Sequence, residues 1–143
     1  MKVMVMVMAT ADSEEGIKPG PEMDEMFRQM GAYNEELVKA GIMEFGDGLK
    51  PTSAAVRVHF DGKSRTAQPG PFKLEDSTLA GFWIWNVTSM DEAVAWAKKC
   101  PNPMPGPSKL EIRPFYSAEE FAELASKDVL DHESELRRKM EKK

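Results

Sequence analysis

Cysteine is almost missing from this chain: Cys100 stands alone among 143 residues. A lone cysteine closes no internal disulfide, which fits a reducing compartment. Histidine is nearly as scarce, with only His59 and the distant His132. One thiol and two separated imidazoles fall short of the ligands that a zinc centre takes, so no metal is expected. No phosphate loop, dinucleotide fingerprint or nucleophile elbow appears, and no cofactor is expected. Positive charge is also short, with 19 Lys and Arg against 24 Asp and Glu and a net charge of -5. An acidic chain argues against nucleic acid as a partner, because phosphate binding needs a basic surface. No apolar run approaches the ~20 residues needed to cross a bilayer, so no membrane partner is expected. The segment Met1–Met8 has Lys2 as its one cation and lacks a small-residue cleavage site. It is not a secretory signal by that pattern, and a cytoplasmic location is expected.

What is present suits one globular, soluble domain: 41% hydrophobic and 30% charged residues. Val3–Met8 alternates, yet it is apolar on both sides, with valines pointing one way and methionines the other. Ala9–Gly20 reads as a polar loop. A helix is predicted from Pro21, with an apolar stripe of Met23, Met26, Phe27, Met30 and Leu37, and Gly41 as its stop. A short strand at Ile42–Phe45 leads to a turn, Gly46-Asp47-Gly48. Val56–Phe60 and Ser64–Gln68 form strands around an Asp61-Gly62 hairpin signal. Pro69-Gly70-Pro71-Phe72 cannot continue a sheet and forms a shaped loop. Gly81–Val87 is the most apolar strand, with Phe82 and Ile84 on one face and Trp83, Trp85 and Val87 on the other. Capping boxes at Ser89–Glu92 and Ser117–Glu120 open two further helices, with a last strand at Leu110–Arg113 between them. The domain is expected over residues 1–125, and residues 126–143 form a charged helical extension.

The order strand, helix, hairpin, strand, helix, strand predicts a ferredoxin-like α+β fold, an antiparallel sheet with both helices on one face. Two helices cover one face only. The two-faced strands then leave a Met- or Trp-lined surface bare, and a homodimer packed sheet against sheet would cover it. Alternatively, the long loops and the C-terminal helix cover it within one chain.

Several runs resemble the YCII-related family, in its DGPF branch. They are Gly70-Pro71-Phe72, Ala80-Gly81-Phe82-Trp83-Ile84-Trp85, Ser89-Met90-Asp91-Glu92-Ala93 and Glu111-Ile112-Arg113-Pro114-Phe115. Tyr33-Asn34-Glu35-Glu36-Leu37 and Gly46-Asp47-Gly48-Leu49 agree, and the likeness runs from Met1 to about Leu124. The resemblance implies a dimeric α+β barrel. It also implies a signalling or transcription-linked setting, since DGPF relatives often occur beside sigma factors. Two departures stand out. Pro69 replaces the aspartate of the Asp-Gly-Pro-Phe motif, and Pro21–Gly41 holds no histidine where some relatives carry one suggested to act with an aspartate. A catalytic His–Asp pair therefore does not carry over.

The site candidates each have two readings. His59 is a general acid or base, or a sheet-surface imidazole in a cross-strand pair. Asp47 is a positioned carboxylate at the barrel mouth, or a turn residue. Met6, Met8, Tyr33, Phe72, Trp83 and Trp85 line an apolar ligand pocket, or are core and dimer interface. Glu111 and Arg113 bind a polar ligand or pair with each other. Cys100 is a nucleophile or a buried helix residue. The function expected is binding of a small molecule in an apolar pocket by a dimeric domain. The alternative is a small enzyme that needs no cofactor, lyase-like or oxygenase-like by family analogy, using His59 or Asp47.

Overall fold

The computed structural model describes residues 1–142. The strands are β1 Lys2–Met8, β2 Met43–Gly48, β3 Val56–Asp61, β4 Ser64–Pro69, β5 Leu79–Asn86 and β6 Leu110–Pro114. The helices are α1 Ala11–Glu14, α2 Pro21–Lys39, α3 Met90–Lys98, α4 Ala118–Ala122 and α5 Lys127–Glu141, with a 3-10 turn at Thr52–Ala54. Four strands form an antiparallel sheet in the order β2-β5-β1-β6. With the β3–β4 hairpin set aside, this is the βαββαβ plan of a ferredoxin-like α+β fold. The hairpin forms a separate two-stranded ribbon.

The core sits between this sheet and the helices α2 and α3. Val3 and Val5 lie opposite Trp85 and Trp83 across β1 and β5, and all four are buried. Tyr33 and Leu37 from α2 and Ala93 from α3 join the same cluster. Each fully buried large side chain contributes roughly 1.5–3 kcal/mol through apolar area removed from water. Both tryptophans therefore face the helices and are covered by their own chain. Met6 and Met8 are also buried, at 7% and 4% exposure. The bare surface expected from the two-faced strands shrinks accordingly. On the face away from the helices, Met4, Phe82 and Ile84 are half-buried, and Phe45 is 49% exposed beside the Phe82 ring.

Helix α2 ends as its sequence predicts. Gly41 takes φ +73°, and the Ile42 N–H reaches back to the Leu37 carbonyl at 2.9 Å while the Gly41 N–H bonds the Val38 carbonyl at 3.0 Å. These two bonds satisfy last-turn carbonyls, and the buried pair Leu37 and Ile42 adds the apolar contact of a Schellman stop.

Four details differ from the sequence reading. Gly46-Asp47-Gly48 is strand, not turn, and pairs with Trp83, Phe82 and Gly81. The register slips between Met43 and Phe45, so Glu44 is an extra residue in β2. The loop after β1 contains α1, nucleated by Thr10 and Ser13 bonding each other's backbone N–H. At α3 the Ser89 hydroxyl caps the Glu92 N–H, but the Glu92 carboxylate turns to the N–H and hydroxyl of Thr88, so only half of that capping box forms.

Gly41→Ala places a Cβ at positive φ, which costs about 1–2 kcal/mol. The urea midpoint should fall by that free energy divided by an unchanged m-value; an unaltered midpoint would contradict the αL stop.

Candidate functional site

Glycine decides where the sheet is not covered. The slip at Glu44 turns Phe45 to the open face and brings Gly46 and Gly48 onto the helix side, beside Gly81. Gly46 is fixed by its neighbour: a Cβ there would stand 2.6 Å from Trp83 Cδ1. Gly81 approaches the Asp47 carbonyl, where a Cβ would meet oxygen at 3.1 Å. Gly48 is different, for a Cβ at that position meets nothing within 4 Å. The floor beneath the first half of α2 thus has little side-chain bulk.

Above this floor α2 is not seated. Its buried residues are Tyr33 and Leu37, in the second half, whereas Met23, Met26 and Met30 are half-buried and Phe27 is 50% exposed. The predicted apolar stripe is present, but its N-terminal part borders a cavity of about 1080 Å³. Trp83, Leu79 and Val7 line it from the sheet, and Met104 from the loop before β6. This volume is at the upper end of small-molecule sites, which are largely apolar with a few polar groups. One such group is Asn34, whose Oδ1 accepts the Trp83 indole N–H at 2.9 Å.

The rim is tied together by hydrogen bonds. The Glu14 carboxylate accepts the Thr52 N–H at 3.1 Å and also the Thr52 hydroxyl proton. The same hydroxyl oxygen accepts the Phe72 N–H at 3.1 Å. The Gly70 N–H donates to the Ala55 carbonyl at 2.8 Å, and a Cβ on Gly70 would collide with the Thr52 carbonyl. The Gly70-Pro71-Phe72 run therefore clasps the 3-10 turn, and the turn holds α1 at the cavity edge.

The six residues predicted to line a pocket do not share one. Trp83 lines the cavity. Tyr33 stands behind it, edge-on to the Trp83 ring at 6.1 Å, with its hydroxyl donating to the Trp96 carbonyl at 2.6 Å. Burial raises the Tyr33 phenol well above its usual range. Trp85 is fully buried and packs against Trp83 at 5.8 Å. Met6 lies opposite Phe82, on the face away from the helices. Met8 borders a smaller hollow of about 310 Å³ with Thr10 and Lys109. Phe72 lies under the Arg57 guanidinium, 3.9 Å from the ring centre.

The polar candidates separate as well. His59 is exposed on the hairpin, with Nε2 2.7 Å from Gln68 Oε1. Asp47 is exposed at the edge strand, and its Oδ1 accepts the Gly48 N–H at 3.0 Å. Its backbone borders the cavity while its side chain shares the opposite sheet face with Phe82, and His59 does not border the cavity at all. Glu111 and Arg113 lie opposite Met6 and Met4 on the open face. Among the described residues no group of three or more His, Cys, Asp or Glu side chains is placed to hold a metal. No helix among them is long and apolar enough to cross a membrane.

Met23, Met26, Met30, Asn34 and Gly48 line the cavity without having been expected to do so from the sequence. Their signal was a polar Asn34 set into an apolar helical stripe, and a Gly-x-Gly pair in a strand.

Fold and cavity together define a ferredoxin-like α+β module with an apolar chamber between its first long helix and its sheet. The chain belongs to the YCII-related family, whose model matches residues 1–116. It is similar to an uncharacterised protein of Rhizobium meliloti (strain 1021), at 29% identity over 94 residues, covering 66% of this chain and 76% of the relative.

Cys100 is half-buried beside the core, and burial pushes its thiol up from 9.0 to about 11. The fold favours the neutral thiol, so this contribution to stability is whole below pH 9 and is lost as pH rises to about 11. Iodoacetamide should label Cys100 far more slowly in the folded protein at pH 8 than in urea, and faster as pH approaches 11. Equal rates at pH 8 would refute burial of the thiol.

Proposed function

We propose that this chain is a binding module that admits a small apolar molecule between α2 and the sheet. The reading is carried by the apolar cavity between the first half of α2 and the sheet, walled by Met23, Met26 and Trp83. The cleft of about 1080 Å³ is open to solvent at its rim and mostly apolar within, as small-molecule sites are. Methionines suit its wall because their unbranched thioethers adapt to varied shapes. Such a module fits a sensing role in a signalling or transcription-linked setting. Catalysis by His59 or Asp47 has weaker support, since the two side chains are exposed and belong to different elements.

The neutral fluorophore N-phenyl-1-naphthylamine tests this reading. It should bind saturably to the wild-type protein and raise the melting temperature, by about 2.7 kcal/mol of added stability at 100 times Kd. Gly48→Leu fills the chamber at a position free of left-handed φ and should weaken binding at least tenfold in a folded protein. Undiminished binding by that variant would place the dye elsewhere and reject the cavity as the site.

We further propose that the module works as a homodimer. Val56, Val58 and Phe60 share one face of the hairpin and are 61%, 52% and 73% exposed. An isolated two-stranded ribbon is marginal in water, and every residue of this one is exposed. A second copy laid on that face, and on Phe45 with its half-buried neighbours, would support it. Sedimentation should give twice the 16.0 kDa chain mass, and Val58→Glu should shift the population toward monomer. A wild-type monomer at 100 µM would refute the dimer.

A further inference from the structure

The rim of the cavity has a sign. Four carboxylates border it, Asp12, Glu14, Glu15 and Glu22, against two ammonium groups, Lys18 and Lys50. Lys18 is already held by Glu15 at 2.9 Å. Glu14 is bonded by the neutral donors of Thr52, which leave its charge in place. Three carboxylates, Asp12, Glu14 and Glu22, therefore stand against Lys50 alone, around walls that include Trp83 and Phe27. Aromatic faces attract cations, more strongly where water is thinned. Asn34 Oδ1 keeps a second lone pair beyond the one that accepts the Trp83 indole N–H. An incoming carboxylate would meet repulsion at the rim, and neither arginine nor histidine borders the chamber.

We propose that the cavity selects lipophilic cations, meaning aromatic or long-chain amines and quaternary ammonium compounds, over neutral and acidic molecules of the same size. This rests on the binding reading above and adds the charge of the ligand to it. The apolar body lies between the methionines of α2 and the glycine floor, where shape rather than charge decides. The cationic end stays near the rim, where the carboxylate excess and the ring faces act together. Because the rim is solvent-exposed, salt screens the preference without abolishing entry of the apolar body.

Three naphthalene derivatives of matched length, ending in an ammonium, a hydroxyl or a carboxylate, supply the test. Each competes with N-phenyl-1-naphthylamine at low salt and at 0.5 M salt, on wild-type protein and on the Asp12→Asn, Glu22→Gln double variant. The ammonium compound should displace the dye at a concentration at least tenfold below that of the carboxylate, with the hydroxyl compound between them. The ratio should narrow severalfold in high salt and in the double variant, whose melting temperature confirms its fold. Displacement by all three at equal concentration, or best by the carboxylate, overturns the charge preference and leaves the cavity as a neutral apolar site. Failure of the dye and of all three compounds to bind overturns the cavity reading itself.

Discussion

The indole of Trp83 occupies the space that a side chain at Gly46 would need, and its N–H is bonded to Asn34 on α2. The ring is further held edge-on by Tyr33 and packed against Trp85. It acts as a spacer of fixed size between sheet and helix. C-terminal to Asn34 the helix settles into the core through Leu37, which is wholly buried. N-terminal to it, Met23 and Met26 border the cavity across from Gly48 and Gly81, which offer no side chains to fill it, while Met30 also packs against the core. The cavity follows from that mismatch between an apolar helix face and a bare backbone floor.

The rest of the molecule keeps this arrangement open. The Schellman stop at Gly41 sets where α2 ends and β2 begins, and the slip at Glu44 turns the glycines of β2 toward the helix. Glu14, Thr52 and Phe72 fasten α1 and the 3-10 turn at the rim, so that the mouth is bounded by hydrogen-bonded chain. The methionines remain the adaptable part, and a chamber with one stiff wall and one soft wall is suited to molecules of varied outline.

Much of the frame was legible in the sequence. The two-faced β1, the apolar run around Trp83 and Trp85, Gly41, and the capping serines at Ser89 and Ser117 all lie where local chemistry places them. The cavity was not legible, for a geometric reason. Strict alternation along β2 puts Met43 and Phe45 on one face and Gly46 and Gly48 on the other. One extra residue at Glu44 reverses the second half, so Met43 faces Gly46 while Phe45 meets Phe82. A bulge leaves no trace in periodicity, and without it the Gly-Asp-Gly run reads as a turn. The same limit applies to Met6 and Met8, whose burial depends on long-range packing that strand alternation does not report. His59 was ambiguous for the opposite reason: its cross-strand partner Gln68 is a local feature, but exposure of the whole hairpin is not.

The most direct measurement of the central claim is a crystal structure under xenon pressure, since xenon enters apolar cavities without needing a specific ligand. Xenon should appear between α2 and the Gly48–Gly81 floor in the wild-type protein. Met23 or Met26 packed down onto Gly48, with no xenon bound there, would contradict an open chamber.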